Sequence, residues 1–173
     1  MEYKISVFKD LFKTKDVPYN VDLEKIIQRI KVGKSISIIE RVRAAQTKKE
    51  ADLIKSELPC IIFAGEFSER NGNGLVNHCG LMCVDFDKYE NETVMESHRK
   101  ILEQNPHFLL IFTSPSGKGL KGVVKIPKAN KETHPKYFTA FQNQFDFDYW
   151  DKSCSNVDRV CYESYDPNIY VNY

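Results

Sequence analysis

The ten residues from Gly80 to Tyr89, GLMCVDFDKY, constrain the fold of this chain more than any other segment. Four apolar residues lead into two carboxylates, Asp85 and Asp87, which are separated only by Phe86. Side chains two residues apart in a β-strand point to the same face, so both carboxylates should leave the end of a buried strand side by side. Two such carboxylates repel each other unless a cation or a shared proton offsets their charge, and Mg2+ binds through carboxylates together with substrate phosphates. The segment therefore predicts a metal and phosphate site, with two solvated carboxylates as the simpler alternative.

Length and composition favour an ordinary globular protein. The 173 residues suit a single domain with its own core. No apolar run approaches the roughly 20 residues of a membrane span, and the N-terminus lacks a signal-peptide core, so we expect a cytoplasmic protein. The five cysteines form no C-x-x-C pair, which indicates free thiols. The spacing of His78, Cys79 and Cys83 fits no common zinc pattern, so core packing is the favoured role of Cys83.

Charge is distributed unevenly, although the formal net charge is only +1. Between Ser114 and Lys136, six lysines accompany a single acid, Glu132. Between Phe145 and Tyr173, six acids accompany one lysine and one arginine. This pattern suits a site in which carboxylates hold a metal and lysines hold polyphosphate or nucleic-acid backbone. A solvated lysine-rich hairpin explains the lysines more simply.

Hydrophobic periodicity and turn residues predict the order of the elements. Before Gly80 we expect strands at 3–8 and 60–64 and helices at 21–32 and 47–58, the second helix with a Thr47 and Glu50 capping box. Its buried face would include Leu53. The glycine-rich loop 65–78 is either a substrate-contacting segment or an ordinary surface loop. The elements predicted after Gly80 are a strand at 81–86, a helix at 92–104, strands at 108–112 and 120–126, a helix at 133–145 and a strand at 157–163.

The β-α-β-β-α-β order of the second half is that of ferredoxin-like and RNA-recognition-like (RRM-like) domains. We therefore predict an α+β fold with an RRM-like antiparallel sheet core and an N-terminal α/β extension. Both helices would cover one face of the sheet, with Ile101 on the buried side of the first helix, and the other face would stay open. The first and third strands would be neighbours, which would place Asp85 and Asp87 near Lys121.

The segment Thr113 to Lys121, TSPSGKGLK, is a second candidate for phosphate contact. Its small residues let backbone amides approach an anion closely, and Lys118 and Lys121 supply positive charge. It is not a P-loop, because the required spacing is absent and a strand follows it. A plain hairpin turn would have the same composition.

A third candidate segment runs from Tyr149 to Tyr165. Asp151 can complete a metal site as a further carboxylate. Arg159 can bind a phosphate through two hydrogen bonds, or it can form a structural salt bridge with Asp158 or Glu163.

The three segments resemble the three motifs of the archaeo-eukaryotic primase superfamily, the primase-polymerases. They are most similar to the VirE N-terminal-like family, primase-related domains at the start of multidomain proteins of bacterial mobile elements. The resemblance covers about residues 20–172 through the phrases ELPCIIFAGEF, GLMCVDFD, TSPSGKGLKGVV and DRVCYESYDPNIYVN. It implies one primase-like domain over 1–173, with an N-terminal α/β module at 1–78 and an RRM-like catalytic core at 79–173, at the start of a longer protein.

The resemblance also implies primer synthesis by a primase-polymerase-type nucleotidyltransferase in replication of a mobile element. The implied catalytic residues, which would also hold two Mg2+ or Mn2+ ions, are Asp85, Asp87 and Asp151. The implied nucleotide-binding residues are Ser116, Lys118, Lys121 and Arg159. The implied partners are nucleoside triphosphates, a single-stranded DNA template and a fused or separate helicase, with no membrane. Lys121 stands where that family has histidine, so it keeps a positive charge but loses the geometry of an imidazole.

Two alternatives remain open at this point. The first is a catalytically inactive primase-like module that binds nucleic acid, which the missing histidine favours and the three retained aspartates oppose. The second is a phosphatase of the haloacid-dehalogenase type, because D-x-D after one strand and Thr113-Ser114 after the next resemble its first two motifs. That fold needs a doubly wound parallel sheet, and the pattern has too few crossover helices for it.

Overall fold

The computed structural model describes residues 3–12 and 17–173, and in these ranges the fold is α+β with antiparallel sheets. The five helices are α1 (Leu23–Val32), α2 (Ile36–Ala44), α3 (Lys48–Lys55), α4 (Glu92–Glu103) and α5 (His134–Phe145). The strands are β1 (Lys4–Phe8), β2 (Tyr19–Asp22), β3 (Cys60–Ile62), β4 (Gly65–Phe67), β5 (Leu75–His78), β6 (Leu81–Phe86), β7 (Phe108–Thr113), β8 (Leu120–Lys125), β9 (Cys161–Tyr162) and β10 (Tyr170–Val171). None of the helices in the described ranges combines the length and the apolar character needed to cross a membrane.

The central sheet has the strand order β10-β7-β8-β6. The apolar runs that predicted β6, β7 and β8 all form strands at the expected places. The strand β8 pairs antiparallel with β6 on one side and with β7 on the other. The first and third strands of the predicted core are therefore neighbours, and their register places Asp85 directly opposite Lys121.

The last predicted strand, at 157–163, is wrong in both its length and its sheet. Only Cys161 and Tyr162 form a strand, which pairs with β3 in a second sheet of order β2-β1-β3-β9. The free edge of β6 instead carries a single bridge between Phe86 and Trp150. The chain then turns, with a hydrogen bond from Arg159 N to Asn156 O of 3.1 Å, and this turn redirects it towards β3.

The face of the central sheet that was expected to be open is covered. Alternate residues of β6 enter two different cores, because side chains alternate between the two faces of a strand. Met82 and Val84 pack with apolar residues of α4 and α5. Leu81 and Cys83 pack with α1 and with the inner residues of the second sheet. The N-terminal elements are thus part of the core that supports the end of β6.

The helices match the predicted positions better than the predicted faces. The helix α2 was not predicted, and Leu53 of α3 is 66% exposed instead of buried. In α4, Ile101 is 56% exposed, while Arg99 is buried. The cause is a long-range ion pair of 3.0 Å between Arg99 and Asp166, which turns a charged residue inward. Periodicity alone cannot indicate such a partner.

A buried histidine pair joins α5 to the start of β6. The Nε2 atom of His78 lies 2.9 Å from Nδ1 of His134. The backbone N–H of Gly80 donates to Nδ1 of His78 at 3.0 Å, so the proton of His78 lies on Nε2 and is donated to His134. Burial lowers the pKa of both His78 and His134 to about 4. Both rings are therefore neutral at pH 7.

We expect the free energy of unfolding to decrease as the pH falls from about 6.5 towards 4. In the unfolded chain, histidines with an ordinary pKa of about 6.5 take up protons, whereas the folded pair stays neutral. Each histidine therefore lowers the free energy of unfolding by up to about 1.4 kcal/mol per pH unit. Urea unfolding at pH 7.5 and pH 5 measures this loss, and histidine NMR assigns it. Ring signals of His78 and His134 that both titrate above pH 6 would contradict the assignment.

Candidate functional site

Asp85 lies at the end of β6 and is only 2% exposed. Its Oδ1 atom accepts a hydrogen bond of 2.6 Å from Nζ of Lys121, and its Oδ2 atom accepts one of 2.8 Å from Nη2 of Arg159. Burial alone would raise the pKa of Asp85, but the two cations outweigh it and hold the pKa below its ordinary value. The site is therefore centred on a buried, ionised carboxylate that two cations neutralise.

The two cations reach Asp85 from different parts of the fold. Lys121 faces Asp85 across the ladder of β6 and β8. Burial would lower the pKa of Lys121, but the Asp85 carboxylate outweighs it and raises that pKa. Arg159 comes from the turn before β9 and also lies 3.9 Å from Oδ2 of Asp151. Arg159 therefore pairs with neither Asp158 nor Glu163; the buried Glu163 accepts two hydrogen bonds from Arg29 and one from Ser35.

Asp151 approaches Asp85 because the chain at 149–151 runs along the free edge of β6. The N–H of Asp151 donates to the carbonyl oxygen of Asp85 at 2.9 Å. One carboxylate oxygen of each, together with Sγ of Cys154, lie within 4.8 Å of one another. The Sγ atom of Cys154 lies 3.1 Å from Oδ2 of Asp151 and 3.3 Å from Oδ2 of Asp85, so the one proton of this thiol can be donated to either carboxylate. The sequence interpretation missed Cys154, for which the only local signal is its position three residues after Asp151.

Asp87 lies at the same end of the sheet but outside this group of three. Its Oδ1 atom lies against Gly119, where an added Cβ would come within 2.6 Å of it. Asp87 is exposed as a residue, yet partial desolvation of its carboxylate raises the pKa of Asp87, and the negative charges of Asp85 and Asp151 add to this shift. The three predicted carboxylates are thus neighbours, although only Asp85 and Asp151 share a possible ligand group.

The hairpin between β7 and β8 holds Ser116 and Lys118. It is closed by a 2.8 Å hydrogen bond from Ser114 N to Gly119 O, and Arg43 of α2 donates to the carbonyl oxygen of Pro115 at 3.3 Å. The hydroxyl of Ser116 lies 3.1 Å from that of Ser114, and Lys118 is exposed. Within the described ranges, neither Ser116 nor Lys118 forms a hydrogen bond or ion pair with the three carboxylates. Both residues remain predicted phosphate contacts.

A cavity of about 930 Å3 lies beside Asp87 and Asp151. Its lining also includes three non-glycine residues with positive φ, namely Lys88 (66°), Asp146 (40°) and Tyr149 (61°). Asp146 is the left-handed C-cap of α5, where a positive φ is usual, whereas at Lys88 and Tyr149 this region is uncommon for residues with a Cβ, and such strain is concentrated at ligand sites. The cavity has the size of those that hold small ligands and cofactors.

The donor set fits a divalent ion of the Mg2+ or Mn2+ type. Carboxylate oxygens suit both ions, whereas a thiol such as that of Cys154 is a ligand that softer metals prefer. Within the described ranges, no cationic side chain lies closer than 3.9 Å to the carboxylates of Asp87 and Asp151, whereas both oxygens of Asp85 already accept from cations. The arrangement therefore suits one ion more directly than the expected two.

We expect Lys121→Met to lower the free energy of unfolding by about 3 kcal/mol. Removing one partner of a buried ion pair leaves a charge that is only partly compensated, here by Arg159 alone. Chemical denaturation measures the loss, and Lys121→Met combined with Asp85→Asn should recover part of it. Arg41→Gln is the matched control, since Arg41 forms an exposed pair with Glu57 and its loss should leave the midpoint unchanged. Equal stability of Lys121→Met and wild type would contradict this role of Lys121.

Comparison with known proteins gives one family. The chain matches the family model described as BT4734-like, N-terminal domain, over residues 53–171, a range that contains all the candidate site residues. No curated protein and no solved structure matches the chain. No primase family matches either, so the assignment to the VirE N-terminal-like family and the primase superfamily is corrected. Motifs as short as D-x-D recur in unrelated folds, which explains the error. The chain belongs to the BT4734-like N-terminal domain family.

Proposed function

We propose that this domain binds a nucleoside triphosphate with a divalent metal and acts as a nucleotidyltransferase in primer synthesis. The observation that carries the proposal is the buried Asp85 carboxylate with its two cations, beside two further carboxylates and a cavity of nucleotide size. Carboxylates that hold a metal and cations that hold phosphates are the combination that phosphoryl and nucleotidyl transfer requires.

The proposal assigns two roles to the charged side chains. Asp87 and Asp151, with Asp85 behind them, would hold Mg2+ or Mn2+, whose contribution is to neutralise the triphosphate and activate the attacking 3′-hydroxyl. With the negative charge of the carboxylates offset in this way, Lys121 and Arg159 would be available to bind phosphate oxygens. Arginine suits this exchange because its planar guanidinium binds phosphate as well as carboxylate through paired hydrogen bonds.

The same exchange predicts that metal and triphosphate bind cooperatively. A triphosphate alone would have to take Lys121 and Arg159 away from Asp85 and leave a buried charge unpaired. A metal alone would have to approach a carboxylate that two cations already neutralise. Each ligand therefore removes the cost that opposes the other.

The proposal also includes an RRM-like fold for the core of the domain. The segments β6, α4, β7, β8 and α5 would be an RRM-like core in which the short edge at 149–151 replaces the fourth strand. Since α1 and the second sheet cover one sheet face, a single-stranded DNA template would bind at the strand ends and along the lysine-rich segment 114–136 instead. A helicase partner, a role in mobile-element replication and a cytoplasmic location remain predictions.

A second candidate function is a nucleic-acid-binding module without catalysis. Its specific support is that both oxygens of Asp85 are already paired, so the site is electrostatically complete without a metal. The phosphatase alternative has no such support. Its fold needs a parallel sheet, and all strand pairs between the named strands of the described ranges are antiparallel.

Calorimetry with Mn2+ tests the proposal, with and without a non-hydrolysable nucleoside triphosphate. We expect the triphosphate to tighten Mn2+ binding about tenfold, a coupling within the usual range of 1–3 kcal/mol. Asp87→Asn combined with Asp151→Asn should abolish this coupling. Asp148→Asn is the matched control, since Asp148 lines the same cavity but is outside the ligand group.

Two outcomes would overturn the nucleotidyltransferase proposal. One is independent binding of metal and triphosphate, and the other is unchanged coupling in the double variant. If oligonucleotides bind while metal and triphosphate do not, the non-catalytic module is the correct function. Coupled binding would be followed by an assay for primer synthesis on a single-stranded template.

A further inference from the structure

Arg159 also lines a second cavity, of about 340 Å3, that none of the three carboxylates of the proposed metal site lines. The residues of its lining are Arg70, Asn156, Asp158, Arg159, Val160 and Tyr162. The segment 65–78, predicted to be a loop, is instead the hairpin of β4 and β5, and Arg70 lies in the connection between these strands, whose role the proposed function does not explain. The cavity therefore connects that loop with the cation that neutralises Asp85.

Each of the two arginines has a buried Nε atom without a hydrogen-bond partner. Arg70 uses one Nη2 hydrogen bond to the carbonyl oxygen of Leu11, and Arg159 uses Nη2 for Asp85. A buried donor without an acceptor costs about 1–3 kcal/mol, and the cost is greater for a charged group. Two guanidinium groups in the lining of one cavity favour an occupant that supplies acceptors.

The charge of the cavity indicates the chemical class of that occupant. Arg70 forms no ion pair with a carboxylate in the part of the chain that the structure describes. Against the two guanidinium groups stands the carboxylate of Asp158, whose Oδ1 already accepts from the side-chain amide of Asn156 at 2.9 Å. The lining is thus net positive. Guanidinium groups match the planar, multidentate geometry of phosphate oxygens.

We propose that Arg70 and Arg159 form a phosphate-binding subsite next to the Asp85 site. Its ligand is a phosphate group, either a phosphodiester of a nucleic-acid strand or the end of a nucleotide polyphosphate. The subsite extends the proposed function and rests on it for its biological role, because Arg159 would contact both the phosphate and Asp85. The loop that carries Arg70 is then a substrate-contacting segment.

The test uses the full chain in EDTA at low salt, so that no metal contributes. The probes are tripolyphosphate and an oligo-dT that lacks terminal phosphates. We expect Arg70→Gln to weaken binding of one probe about tenfold, as for the loss of a charged hydrogen bond. Weaker oligo-dT binding identifies the strand backbone as ligand, and weaker tripolyphosphate binding identifies the nucleotide tail. Arg41→Gln, which removes an exposed arginine elsewhere, should change neither affinity.

Asp158→Asn provides an independent variant in case Arg70→Gln fails to fold. Removing the negative charge of Asp158 should strengthen binding of the same probe about threefold. Unchanged affinities of both probes in Arg70→Gln and in Asp158→Asn would overturn the subsite. Since these measurements need no metal, phosphate binding that persists without metal-coupled triphosphate binding would overturn the nucleotidyltransferase proposal and leave the subsite intact.

Discussion

The structure depends on the placement of one buried carboxylate, Asp85, between Lys121 and Arg159. A buried carboxylate costs several kcal/mol unless cations and hydrogen bonds neutralise it. Lys121 does so within the central sheet, and Arg159 does so from the turn that leads into the second sheet. The ion triplet therefore couples the two sheets, and the contact that stabilises the fold is also the centre of the candidate site.

This double role explains the shape of the surroundings. Arg159 lines the cavity beside Arg70 and also pairs with Asp85, so its guanidinium is shared between a carboxylate and the anion proposed for that cavity. The strained backbone at Lys88 and Tyr149 lies on the carboxylate side. Backbone strain on the carboxylate side and unpaired guanidinium donors on the Arg70 side both favour ligand binding.

The covered sheet face limits where the nucleic-acid template of the proposed function could bind. An open sheet would offer a broad surface on which bases can stack, whereas here α1 and the second sheet occupy that surface. The accessible chemistry is confined to the strand ends, where the carboxylates, the hairpin with Lys118 and the arginine cavity meet solvent. The family match covers this whole region but assigns no activity to it. The function is therefore inferred from the geometry and charge of the site.

The sequence by itself determined the strands β6 and β8 and the meeting of Asp85 with Lys121, because alternation and strand order are local and topological signals. Only the tertiary structure decided that Arg159 and Cys154 contact Asp85 and that Asp151, expected in the same site, is held to Asp85 by a backbone hydrogen bond. It also decided that the two-residue strand β9 joins another sheet and that Arg70 shares a cavity with Arg159. Such contacts join residues distant in the chain, and a two-residue strand has no periodicity to detect. Burial and charge pairing select these contacts in three dimensions, and the spacing of residues along the sequence does not indicate them.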